Sequence, residues 1–224
     1  LVYDPSVVLF DEPLSNLDAN LRERMRSELK LLQEQLNFTA IFVTHDQQEA
    51  LALSDNVVLM RSGLIEQQGT PEEVFKDPQT LFAAQFLGYT NHFKGHVQSL
   101  EHGGEVTVAL DAGIVVTAVW RSPGAPSVGD TVIIAIRGDL IGLSQPQSSG
   151  ASELIGVVEV GSFLGTFISY VVKIGELAFN VEAPADSVFG RGDRVSVELP
   201  PMHCHAYLAS DVAASESTIR AQVQ

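Results

Sequence analysis

The chain has 224 residues, of which 45% are hydrophobic and 18% charged, enough apolar mass for one large domain or two small ones and a composition that excludes global disorder. Its formal net charge of −15 is spread over both halves, 14 acids against 6 bases in residues 1–90 and 14 against 7 in residues 91–224, so the surface repels phosphate backbones and a nucleic-acid-binding role is disfavoured. The single cysteine, Cys204, excludes an intrachain disulfide and fits a reducing compartment, and no stretch approaches ~18 consecutive apolar residues, so nothing in the sequence reads as a membrane span.

In chain order, the opening Leu1–Pro5 has neither an initiator methionine nor the basic start and long apolar run of a signal peptide, and the chain is expected to begin inside a longer protein. Val7–Phe10 is a short continuous apolar run, suited to a parallel strand covered on both faces, and it ends in two adjacent carboxylates, Asp11 and Glu12. Leu21, Met25, Leu29, Leu32 and Leu36 form one face of a helix from Ala19 to about Gln35, with Asp18 as its N-cap. Ala40–Thr44 is a second buried strand, followed by His45. Asp46 caps the next helix, with Glu49 placed as in a capping box. Val57–Met60 and Leu64–Gln67 flank Arg61-Ser62-Gly63 and read as a hairpin.

Thr70-Pro71-Glu72-Glu73 is a helix start, and Asp77-Pro78 is expected to start another helix that stops near Gly88. Strand and helix therefore alternate over residues 1–90, the pattern of a parallel α/β sheet. From 91 to 209 the pattern becomes strands punctuated by Gly and Pro: Lys94–Leu100, Glu105–Leu110, Ile114–Ala118, Thr131–Ile136, Leu154–Phe163, Phe167–Ile174, Leu177–Glu182 and Arg194–Leu199. This predicts an all-β module, a small barrel, with a polar loop at Gln145–Ser152 and a frayed tail over 210–224.

A parallel strand delivers its last residues to the carboxyl edge of the sheet, where ligands of α/β folds bind. A carboxylate there (Asp11) can hold Mg²⁺ through its water shell, and a second one residue on (Glu12) can orient or deprotonate a water. His45 follows the next strand to the same edge, in reach of a terminal phosphate. An acidic strand end and a hydrogen-bonded histidine are the bland alternatives, and Ser15–Asp18 alone reads as a turn plus an N-cap.

Taken together, residues 1 to about 88 resemble the second half of the nucleotide-binding domain of an ABC transporter. Val7–Asp11 is similar to the Walker B strand, Glu12 to the catalytic glutamate, Ser15–Asp18 to the D-loop, and Thr44-His45-Asp46 to the segment with the switch histidine. Thr70–Phe75 resembles the stretch that closes this domain in importer ATPases. Residues 91–209 resemble the transport-associated OB-like (TOBE) domain of the maltose, polyamine, sulfate and ferric-iron importer ATPases. The carrying segments are Thr131–Arg137 and Gly192–Val197, with Gly138-Asp139 standing where the family usually has Pro-Glu.

The resemblance implies a fold: the C-terminal part of a P-loop NTPase sheet followed by an OB-like barrel. It implies an ATPase subunit of an importer, using ATP and Mg²⁺. Glu12 and His45 would be catalytic, Asp11 the Mg²⁺ partner through water, and Ser15 and Asp18 nucleotide-side residues, Asp18 acting across a homodimer. The implied partners are a second ATPase subunit, membrane permease subunits and, indirectly, an external solute-binding protein, at the cytoplasmic face of a bacterial inner membrane. No Gly-x-x-x-x-Gly-Lys-[Ser/Thr] loop and no Leu-Ser-Gly-Gly-Gln signature occurs, so these residues alone are expected to be inactive. The solute is not readable, with a lean towards polyamines or ferric iron over sugars.

Two rival readings stay open: a non-enzymatic regulatory or binding module working through the β-rich half, and a P-loop ATPase outside transport, against which the β-module and the acidic surface argue. Other motifs are read blandly. His203-Cys204-His205 alternates faces in a strand and does not converge as a metal site. Arg191-Gly192-Asp193 is a turn, Gly161–Gly165 is a β-bend with no helix after it, and Trp120 is core.

Overall fold

The structure, a computed structural model, describes residues 5–146 and 154–211. Most of the expected polar loop and the expected tail beyond 211 lie outside the described residues. The chain packs into two compact units that meet at Pro78–Gln79, earlier than the change of pattern at 90–91.

The first unit contains β1 (Val7–Asp11), α1 (Ala19–Leu36), β2 (Thr39–Val43), α2 (Gln47–Leu53), β3 (Val57–Arg61), β4 (Leu64–Gly69) and α3 (Pro71–Lys76). β1 and β2 pair in parallel, from Val7 opposite Thr39 to Asp11 opposite Val43. A parallel pair needs a crossover, and α1 supplies it. Phe10 and Phe42 stack across the pair with centroids 4.5 Å apart. Because the strands run together and in register, the segments leaving them start at one edge.

α1 begins where Asp18 accepts the Leu21 N–H at 3.0 Å. It ends at Asn37, which takes a left-handed φ of 48° and returns its N–H to the Gln33 carbonyl. The hairpin β3–β4 turns through Ser62 and Gly63 with φ of 50° and 82°, two successive left-handed residues as in a type I′ turn. Thr70 and Glu73 close a full capping box on α3.

The second unit opens with α4 (Leu81–Phe86). The expected start at Asp77-Pro78 is corrected here. The Thr80 hydroxyl accepts the Ala83 N–H at 3.2 Å and so begins the helix later. Leu81, Ala83 and Ala84 are buried, so α4 packs with the second unit. Alternation of element types marks kinds of structure, not the core each element joins.

Ten strands follow: β5 (Asn91–Leu100), β6 (Glu105–Leu110), β7 (Val115–Trp120), β8 (Thr131–Ile136), β9 (Gly142–Ser144), β10 (Leu154–Phe163), β11 (Phe167–Ile174), β12 (Leu177–Pro184), β13 (Arg194–Glu198) and β14 (His205–Leu208). They form a closed barrel in the order β14-β7-β6-β5-β8 and a five-stranded sheet in the order β12-β11-β10-β13-β9. Both contribute to one hydrophobic core: Val106, Val108 and Ile134 from the barrel, Val172, Phe179 and Val195 from the sheet. The Phe93 and Phe179 rings meet across it at 4.4 Å. Buried Asn91 stitches the two together. Its side-chain amide donates to the Asn180 carbonyl at 2.9 Å, and its oxygen accepts the Asn180 N–H at 2.7 Å.

β10 extends through Phe163, and Gly165 turns the chain into β11 with φ of 90°. Asp193 accepts the Gly190 N–H at 2.7 Å in the Arg191–Asp193 turn. Trp120 is partly buried against the core, with its indole N–H given to the Gly124 carbonyl. At the position where the usual Pro-Glu is replaced, Asp139 accepts from the Arg137 guanidinium at 2.9 Å.

Candidate functional site

Two segments converge at the carboxyl edge of the β1–β2 pair. The first starts at Asp11, the exposed last residue of β1. Glu12 stays attached to the sheet, since its N–H donates to the Val43 carbonyl at 2.8 Å. Its φ of 44° lies in the left-handed region, which a residue with a Cβ rarely adopts. The turn that follows is tied back on itself. The Ser15 hydroxyl donates to the Glu12 carbonyl at 3.0 Å, and the Leu17 N–H to the Leu14 carbonyl at 3.2 Å. Leu14 is buried beneath it.

The second segment is Thr44-His45-Asp46. His45 Nδ1 lies 3.1 Å from Glu12 Oε1. The His45 side chain is 73% exposed and that of Glu12 48%, so the carboxylate–imidazole pair faces solvent. The structure therefore brings Glu12 and His45 into contact. It leaves Asp11 next to Glu12 along the chain, engages Ser15 with the Glu12 backbone, and gives Asp18 to the cap of α1.

Four residues, Thr44, Asp46, Glu49 and Arg22, hold this arrangement. The Asp46 carboxylate caps α2, accepting the N–H groups of Gln48 and Glu49 at 2.8 and 3.2 Å. In a capping box Glu49 would turn back to the Asp46 N–H. That N–H instead donates to Thr44 Oγ1 at 3.0 Å, and the Thr44 hydroxyl donates to Glu49 Oε2 at 2.7 Å. The expected box is thus replaced by a link through Thr44. Buried Glu49 gains a hydroxyl and the charge of Arg22, whose Nε lies 3.7 Å from its Oε1. Arg22 also donates to the Leu17 carbonyl at 3.0 Å and to Asp46 Oδ2 at 3.4 Å. Sequence reasoning missed Arg22. Its signal is weak, because the acids it joins lie in a different segment and only the fold brings them near.

As a cation site, Asp11 offers an exposed strand-end carboxylate, and no group of three or more His, Cys, Asp or Glu that could hold a metal occurs among the described residues. Such a donor set suits an ion like Mg²⁺, which keeps most of its waters and takes further oxygens from phosphates. His203-Cys204-His205 belongs to the other unit and is core: Cys204 and His205 are buried, and His205 stacks on Tyr89 with centroids 5.0 Å apart. Burial pushes the Cys204 thiol up to about 12, which leaves it protonated and unreactive.

The chain is similar to known proteins over most of its length. The family model described as "TOBE domain" matches residues 134–206. The Fe(3+) ions import ATP-binding protein FbpC of Brucella melitensis biotype 1 is 41% identical over 173 residues, 77% of this chain and 46% of that protein. The lactose transport ATP-binding protein LacK of Rhizobium radiobacter is 42% identical over 175 residues, 76% of this chain and 47% of that protein. The spermidine/putrescine import ATP-binding protein PotA of Trichormus variabilis is 39% identical over 186 residues, 82% of this chain and 49% of that protein. A solved structure of the cytoplasmic molybdate-binding protein ModG with molybdate bound aligns at a TM-score of 0.46 and 16% identity, over 53% of this chain and 96% of that one. The chain spans about half the length of the ATP-binding relatives it matches. Residues 134–206 match the TOBE domain, and over most of its length the chain is similar to proteins named as ATP-binding proteins for the import or transport of iron, lactose and polyamines.

Proposed function

We propose that a longer protein containing these residues hydrolyses ATP to drive solute import, and that the β1–β2 edge is the hydrolytic end of its nucleotide site. The observation that carries this reading is the 3.1 Å contact between Glu12 and His45, just beyond the ends of two paired parallel strands and partly exposed to solvent. Glu12 is the general base. Its half-exposed carboxylate can accept a proton from a water held beside it. His45 has two ring nitrogens; with Nδ1 at Glu12, Nε2 remains for a terminal phosphoryl oxygen. That arrangement lets the ring report whether the phosphoryl group is present while steadying the base.

Asp11 would hold Mg²⁺ through a water, and the ion, when bound, neutralises charge on the transferring phosphates. Ser15 keeps the Glu12 turn closed through the Glu12 carbonyl. Asp18, fixed as the cap of α1, stands where the turn meets the helix and acts towards a second ATPase subunit. In this reading residues 1 to about 90 are the C-terminal half of a P-loop nucleotide-binding domain. The ATPase works as a homodimer on permease subunits at the cytoplasmic face of the inner membrane, with an external binding protein delivering the solute. No helix among the described residues is long and apolar enough to cross a membrane. The relatives are named for iron, lactose and polyamines, so similarity of this degree does not separate solutes.

The test is Glu12→Gln in the full-length protein. The amide keeps the shape and loses the base, so ATP binding should persist while turnover falls about 10²- to 10⁴-fold. Turnover at the wild-type rate would remove Glu12 from the role.

A further inference from the structure

We infer that Arg22, with Glu49 as its buried anchor, is a positioning residue that sets the His45–Glu12 contact and couples it to the Asp18 turn. The inference rests on the hydrolytic reading above. One guanidinium touches both segments of the site. It donates to the Leu17 carbonyl, inside the turn between Glu12 and α1, and to the Asp46 carboxylate, next to His45. It stands 3.7 Å from Glu49, whose side chain is only 4% exposed.

Glu49 extends the same chain of bonds. It accepts from the Thr44 hydroxyl, which in turn accepts the Asp46 N–H, so the residues on either side of His45 are fixed. The His45 side chain is largely exposed, and among the described residues the polar contact that orients it is the one to Glu12. Its placement therefore depends on the backbone of residues 44–46, and that backbone is held by Glu49 and Arg22. Arg22 lies one helical turn after the capping Asp18, its N–H bonded to the Asp18 carbonyl. A shift of the Asp18 turn thus reaches residues 44–46 through a single side chain. A planar guanidinium with several fixed donors can give hydrogen bonds to two acceptors, Leu17 and Asp46, while its charge faces Glu49 at 3.7 Å; a lysine ammonium cannot hold the same geometry.

The experiment uses the full-length protein and its Arg22→Ala, Arg22→Lys, Glu49→Gln and Glu12→Gln variants. It measures kcat and KM for MgATP, and the ring resonances of ¹⁵N-labelled histidine, with His45 assigned by substitution. Arg22→Ala should lower kcat at least about tenfold while KM stays within about threefold, because a misplaced catalytic group costs rate more than binding. Arg22→Lys should recover part of the rate, and Arg22→Ala and Glu49→Gln should both move the His45 resonances. Wild-type kcat with unmoved His45 signals in Arg22→Ala would overturn the inference. If Glu12→Gln is inactive in the same series, the hydrolytic reading survives that failure. If instead Glu12→Gln turns over normally, the hydrolytic reading fails, and the His45 resonances still decide the clamp. Should Arg22→Ala not fold, Arg22→Lys and Glu49→Gln carry the test, and wild-type His45 signals in both overturn it.

Discussion

His205 shows how one buried side chain can govern response to acid. It is 1% exposed and stacked on Tyr89. Burial first, and then the charges of Arg121 and His203, push its protonation down from the ordinary 6.5 to about 3. The unfolded chain therefore binds a proton below about 6.5 that the folded chain refuses until about 3. Stability is retained above that window and lost as pH falls through it, with a limiting slope of about 1.4 kcal/mol per pH unit. His205→Phe should flatten this part of the acid limb in denaturant titrations at pH 7, 5.5 and 4; an unchanged limb would assign the acid sensitivity to other groups. At this scale the sequence is legible where chemistry needs a residue type at a strand end. Glu12 and His45 could be singled out that way, since strand direction alone sends both to one edge. Arg22 could not, because an arginine on an amphipathic helix looks like any solvated charge until the fold brings Asp46 and Glu49 to it.

Caps set the boundaries of the elements. Thr70→Ala removes the hydroxyl that accepts the Glu73 N–H and donates to the Glu73 carboxylate, leaving that carboxylate only the backbone N–H of residue 70. It should cost about 1 kcal/mol in the unfolding free energy of the first unit, read as a lower denaturant midpoint at unchanged m. This box was legible because Thr, Pro and Glu each act locally and all point to one start. The Asp46–Glu49 pair has the same spacing and a different outcome, since a nearby hydroxyl and a guanidinium compete for the glutamate. α4 was placed too early for a related reason: Pro78 is compatible with a first turn, but Thr80 is the residue that caps it. β9 and β14 carry no signal in the sequence because three and four residues are too few to show a period. Their partners β13 and β8, not their own composition, make them strands.

Across the whole chain, burial is uneven. Among the described residues, the second unit holds the large hydrophobic core. In the first, α1 has no buried residue, and Val7, Leu9, Ile41 and Val43 along β1 and β2 are 49–66% exposed. A two-stranded sheet is marginal by itself. Amide exchange on these 224 residues should therefore show β5–β8 and β10–β13 protected up to the global unfolding limit, and β1, β2 and α1 exchanging by smaller openings. Equal protection of the two units would contradict the burial pattern. The general plan, strands alternating with helices and then strands alone, was readable from periodicity because each strand's inward residues repeat at two. The pairing was not, since the barrel draws β14 to β7 and β8 over the whole of β9–β13.

That late strand has a consequence for synthesis. β5 to β8 leave the ribosome together, yet the wall they build has a gap that only His205–Leu208 can fill, hydrogen-bonded to a neighbour on each side. The five strands from β9 to β13 must be translated first. In the nascent chain the facing edges of β7 and β8 therefore have no strand to join them until nearly all of the described residues have been translated.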